Sequence, residues 1–91
     1  MKSNHVKLAN YMWIITKDNI SLGNCTDVGT KGPYNHNNTL VNKARFSLYD
    51  DDKVCYYEGY IFGEFNGFEP LDDFGMPNAG CTLVKLNGSW L

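Results

Sequence analysis

The chain lacks most of what common chemistries require. Its three cysteines, Cys25, Cys55 and Cys81, are odd in number and far apart, and no Cys-x-x-Cys occurs. That argues against a disulfide framework. With only His5 and His36 to join them, no zinc-finger spacing can be assembled. A nucleophilic triad needs a histidine between nucleophile and acid, and both histidines sit in terminal or Asn-rich surroundings. Neither Gly-x-x-x-x-Gly-Lys-Ser/Thr nor Gly-x-Gly-x-x-Gly is present, so no phosphate loop is expected. No run approaches the roughly 18 apolar residues of a membrane span. The apolar stretch Leu8 to Ile15 is broken by Asn10 and does not resemble a signal peptide. The expectation is a cytoplasmic protein with no membrane partner and no cofactor.

What is present fits one small domain, residues 1–91. Hydrophobic residues make up 43% and aromatics 14%, enough for one modest core. Tyr11 to Thr16 is β-branched and aromatic and reads as a strand. Asn35 to Ala44 offers the one sizeable helix, most plainly near 38–44, with Leu40, Val41 and Ala44 on one face. Phe46 and Leu48 alternate with Ser47 and Tyr49 as in a half-buried strand. Asp50-Asp51-Asp52-Lys53 makes a polar turn, and Val54 to Phe65 makes a long strand. Asn66-Gly67 and Asn87-Gly88 are type I′ hairpin signals. Pro70 to Gly75 reads as a single helical turn, with Met76 to Gly80 as loop. The fold class is α+β: an antiparallel sheet of four to six strands with one short helix.

The net charge of −2 hides a division. Residues 1–45 carry six bases and two acids, whereas residues 46–91 carry eight acids and two bases. All eight acids lie between Asp50 and Asp73, and nine of the thirteen aromatics lie between Phe46 and Phe74. On the long strand, Tyr56, Glu58, Tyr60, Phe62 and Glu64 share a face that should meet solvent, because ionised carboxylates are costly to bury. Exposed tyrosines among carboxylates suit a protein-binding surface. A solvated outer face is the plainer alternative.

The acids fit other chemistries less well. An EF-hand loop counted from Asp50 would place Val54 fifth and Cys55 sixth, where a ligand and a glycine belong. Asp72 and Asp73 after Pro70 suit the first turn of a helix. Glycosidase carboxylates need a cleft between them, which a pair such as Glu58 and Glu69 does not establish. Six bases scattered over residues 1–45 do not make a nucleic-acid footprint, so no direct nucleic-acid binding is expected.

The tract Tyr49-Asp50-Asp51-Asp52, Tyr56-Tyr57-Glu58-Gly59, Gly67-Phe68-Glu69-Pro70-Leu71-Asp72-Asp73-Phe74-Gly75 and Pro77-Asn78-Ala79-Gly80-Cys81 resembles one in small uncharacterised accessory proteins of phages and other mobile elements. The resemblance covers the C-terminal half and implies no activity or functional residue. Many such proteins are compact, acidic, non-enzymatic inhibitors of host machinery, anti-CRISPR proteins among them. The leading expectation is therefore a non-enzymatic inhibitor. Asp50, Asp51, Asp52, Tyr56, Glu58, Tyr60, Glu64, Glu69, Asp72 and Asp73 would dock on a basic surface of a host protein, such as a nucleic-acid-binding effector, with carboxylates in place of phosphates. One alternative is a metal- or small-molecule-binding domain or enzyme using Asp50–Asp52 with Asp72–Asp73. Another is a self-associating module, so both monomer and homodimer stay open.

Overall fold

The computed structural model describes residues 10–21, 26–33 and 42–91. Strands β1 (Tyr11–Asp18), β2 (Lys31–Gly32), β3 (Lys43–Tyr49), β4 (Cys55–Gly63), β5 (Leu83–Leu86) and β6 (Ser89–Trp90) form one sheet. Its order is β2-β1-β4-β3-β5-β6, and every neighbouring pair is antiparallel. Between β4 and β5 lies helix α1, a wide π-type turn over Leu71–Gly75 that runs directly into an α-turn over Met76–Ala79. The α+β class stands, with six strands and one short helix.

Period-two patterning decides which face is buried. Trp13 and Ile15 of β1, Ala44, Phe46 and Leu48 of β3, Tyr57 and Ile61 of β4, and Val84 of β5 are all buried on one side. Helix α1 roofs that side with Leu71 and Phe74, followed by Cys81. The Phe74 ring wedges between Trp13, at 5.4 Å, and Tyr57, at 4.9 Å and edge-on. Offset and edge-on ring pairs of this kind add to the area they bury.

Three expectations about local structure change. Lys43 and Ala44 are strand, not helix, because Ala44 is needed opposite Ile61 on the core face. Residues 38–41 of the expected helix lie outside the described residues. Asn66-Gly67 is not a hairpin, since β4 ends at Gly63 and no strand follows until β5. A type I′ turn needs positive φ at both central residues, and only Gly67 has it there, at 111°. The Glu69 carboxylate instead accepts the N–H groups of Asn66 and Gly67, while the Asn66 side chain accepts the N–H of Phe68. These bonds close an Asx-type turn just ahead of a helical segment whose N-cap is Pro70. That segment also runs past Gly75 through Met76–Ala79 and stops at Gly80, whose φ of 72° is the left-handed cap. Asn87-Gly88 does form the expected turn, with φ of 50° and 85°, between β5 and β6.

The two outermost strands of the sheet are two-residue strands, Lys31–Gly32 and Ser89–Trp90. Edges this short offer little backbone for strand addition. At the centre, β1 and β3 close on β4 over Gly59. A Cβ at Gly59 would stand 2.0 Å from the carbonyl oxygen of Ile14 and 2.7 Å from Cζ of Phe46. The Ile14 backbone cannot yield without opening the sheet. Gly59→Ala is therefore expected to destabilise the fold by about 3 kcal/mol, the upper range for overpacking, read as a lowered urea midpoint. Wild-type stability in that variant would show that β1 and β4 do not meet at this spacing.

Candidate interaction surface

Helix α1 covers one face of the sheet. Among the described residues, no helix covers the other. That open face is built in rows from cross-strand pairs. Met12, Phe62 and Lys43 form one row, and Lys31, Ile14, Tyr60 and Arg45 the next. Lys17, Glu58, Ser47, Lys85 and Trp90 follow, then Cys55, Tyr49 and Leu83. Bulges opposite Ile15–Lys17 and Leu48–Tyr49 shift the register but keep Lys17 beside Glu58 and Tyr49 beside Cys55.

Among the described strand residues, five bases thus share a face with one acid, Glu58. Glu58 meets Lys17 at 3.8 Å, both side chains well exposed, which is a weak surface pair. Two of the other bases, Lys43 and Lys85, stand over aromatic rings. Lys43 Nζ lies 4.4 Å from the centre of the Tyr60 ring. Lys85 Nζ lies 4.7 Å from the Trp90 ring and 5.6 Å from Tyr49, and Lys53 reaches Trp90 at 5.7 Å from the rim. Tyr49 and Trp90 are themselves paired at 4.7 Å. A shallow depression of about 60 Å³, lined by Thr16, Arg45, Ser47, Glu58 and Tyr60 among others, lies within the face. It has room for little more than water, so a larger ligand must lie across the face.

The ten residues expected at a partner surface divide among several places. Only Glu58 and Tyr60 lie on the open face. Asp50, Asp51 and Asp52 form the β3–β4 turn. The Asp50 carboxylate accepts the N–H groups of Asp52 and Val54, and Lys53 completes the turn at a φ of 64°. The Val54 N–H holds the Asp50 carboxyl below its ordinary range, and burial opposes it only in part. The neighbouring Asp50 carboxylate raises the Tyr56 hydroxyl pKa. Asp51 accepts a hydrogen bond from the Thr82 hydroxyl. Glu64 is exposed just past β4, Glu69 accepts backbone N–H groups in the turn ahead of α1, and Asp72 is exposed in the first turn of that helix. Asp73 works on the roofed side, where it accepts from Trp13 Nε1 at 3.0 Å and from the Tyr11 hydroxyl at 2.8 Å. Burial and then that bond push the Tyr11 hydroxyl pKa up.

The two Asp clusters do not meet. Tyr11, which holds Asp73, pairs with the last residue of β4, whereas Asp50–Asp52 precede its first. Among the described residues no three His, Cys, Asp or Glu side chains gather as metal ligands. No described helix is long and apolar enough to cross a membrane.

No family model, curated protein or solved structure matches the chain.

Two further acids, which sequence reasoning left aside, also serve the fold. The buried Tyr57 hydroxyl donates to Asp27 at 2.9 Å and accepts from Asn78 at 3.2 Å. The Asp18 carboxylate gathers the N–H groups of Ile20, Ser21 and Asp27 and the Ser21 hydroxyl. Burial opposes its charge, but these donors outweigh burial and lower its pKa from 3.8 to about 2.

Two outcomes are expected. Tyr57→Phe should cost about 1–2 kcal/mol in chemical denaturation, because it leaves Asp27 and Asn78 without their buried partner. Asp18 contributes stability that is complete above pH 3.8 and lost as pH falls toward 2. The stability gap between wild type and Asp18→Asn should therefore narrow over that window in urea titrations. A gap independent of pH would refute the assignment.

Proposed function

We propose that this chain is a non-enzymatic interaction module that engages an anionic partner through its open sheet face. The observation that carries this reading is the gathering of Lys17, Lys31, Lys43, Arg45 and Lys85 on one face, where Glu58 is the one acid among the described strand residues. Charge segregated in this way produces a local positive field even when the whole molecule is acidic. The acids support the reading from the other side. Asp18, Asp27, Asp50, Asp51, Glu69 and Asp73 accept hydrogen bonds that hold the fold, so their number says little about a partner.

The resemblance of the C-terminal half supports a role as a phage-type accessory protein acting inside a host cell. Docking of the acidic residues on a basic host surface is the competing route to the same role. It would draw on the β3–β4 turn, the open face and the roofed side together.

Heparin chromatography separates the two routes. At pH 7 the protein carries a formal net charge of −2, so a uniform acidic surface would pass through a heparin column at low salt. The expected result is retention at about 20 mM salt and release at a few hundred millimolar, as exposed charge contacts are screened. The triple variant Lys43→Glu, Arg45→Glu, Lys85→Glu should flow through with its melting temperature nearly unchanged. Flow-through of the wild type would remove the basis of the proposal.

A further inference from the structure

The open face carries more than charge, and its second component narrows the partner. This inference rests on the anionic-partner reading above. The face holds two ring platforms. One is Tyr60 with Phe62 beside it, and the other is Tyr49 packed against Trp90. Tyr60 stands opposite Arg45, and Tyr49 is four residues farther along the same strand. At about 3.4 Å per residue, the platforms are roughly 14 Å apart along the strand. Each has bases at its margin: Lys43 and Arg45 at the first, and at the second Lys85, with Lys53 reaching in from a turn that also carries Asp50, Asp51 and Asp52. Trp90 is 44% exposed although it lies in a strand, and its ring is covered by Tyr49 and by the lysines Lys85 and Lys53.

A surface that alternates rings with cations complements a ligand that alternates flat rings with negative charge. We propose that the open face binds single-stranded nucleic acid. Bases would stack on the Tyr49–Trp90 and Tyr60 platforms, and Lys43, Arg45, Lys85 and Lys53 would neutralise phosphates. In the free protein the lysines stand over these rings, an interaction worth only a fraction of a kilocalorie to about 1 kcal/mol at exposed sites. They can swing aside to phosphates and free the ring faces. Base–aromatic stacking is tolerant of sequence, and flat sheet faces present it well. A duplex hides its base faces within the helix and could use only the cations. An acidic peptide would likewise satisfy the cations and leave the rings unused.

Fluorescence anisotropy tests this with the full chain and four labelled probes. These are a 12-nucleotide oligothymidylate, a 12-nucleotide oligouridylate, a 12-base-pair duplex and an oligoglutamate of matching charge. The expected result is that at least one single strand binds about tenfold or more tighter than both the duplex and the oligoglutamate. Trp90→Ala should weaken that single strand about tenfold, within the range for losing one stacked base, and leave the slope of log K against log salt unchanged. Lys43→Gln with Arg45→Gln should weaken binding and flatten the slope by about 0.7 for each phosphate no longer neutralised. Retained melting temperatures exclude unfolding as the cause. Equal affinity for all four probes, with no effect of Trp90→Ala, would overturn the nucleic-acid inference and leave the anionic-partner reading standing. Preference for the duplex or for oligoglutamate would overturn it as well. No binding of any probe at 20 mM salt would overturn both.

Discussion

The seating of Phe74 between Trp13 and Tyr57 is the contact on which the rest of the structure depends. It fixes α1 to one face of a sheet that, among the described residues, has no second helix to cover the other. A six-stranded sheet with one roof has one dry face and one wet face. The side chains sort accordingly: Ala44, Phe46 and Leu48 inward, Lys43, Arg45, Ser47 and Tyr49 outward. Positive charge collects on the wet face because the alternation of β3 leaves it nowhere else to go.

The same docking explains the use of carboxylates. An aromatic roof brings polar tips into the interior, since Trp13, Tyr11 and Tyr57 each carry a donor at the end of an apolar body. Asp73 and Asp27 receive those donors at 2.8–3.0 Å. The loops that lead into and out of the strands need acceptors too, and Asp18, Asp50 and Glu69 supply them to runs of backbone N–H groups. Most of the acidic character is therefore the means by which an aromatic core and tight loops satisfy their hydrogen bonds. The bases have no comparable internal task. Among the described residues they make one ion pair, and that pair is exposed.

The legible part of the fold is the part that local pattern determines. Alternation locates β3 and the outward Glu58, Tyr60 and Phe62 of β4, whereas the bulge at Tyr56 turns that residue toward the core and Cys55 outward; Asn87-Gly88 fixes the last turn because both residues there can take positive φ. Asn66-Gly67 carries the same dipeptide and does something else, because Glu69 two residues on competes for its N–H groups and wins the segment for a helix. The pairing of Asn66 with Glu69, whose side chains accept the N–H groups of that turn just ahead of Pro70, is the available signal. The basic face is not legible in the sequence, because its members sit on β1, β2, β3 and β5 and meet only through the strand order around β4. Separation along the chain looks like dispersal until the strands are assembled. The alternation Lys43-x-Arg45 opposite Ala44-x-Phe46 already shows that two of the bases must share the outer face of one strand. What sequence alone does not supply is that β1 joins that strand's partner from the other side.

The distribution also bears on self-association. A flat, half-apolar sheet face with Tyr60, Phe62, Met12 and Ile14 on it would ordinarily invite a second copy. Face-to-face stacking would set five bases against another five across a low-dielectric gap, with Glu58 as the one acid among the described strand residues of each copy. Like charges brought together out of water oppose such an interface strongly. Pairing through the edges fares little better, because both outermost strands are two residues long. The bases thus keep an otherwise adhesive face apart from its own kind. The barrier falls only for a partner that brings compensating negative charge, and the rings then become contact area instead of exposed surface. One arrangement of side chains accounts for both properties, the resistance to self-stacking and the complementarity to an anion that carries rings.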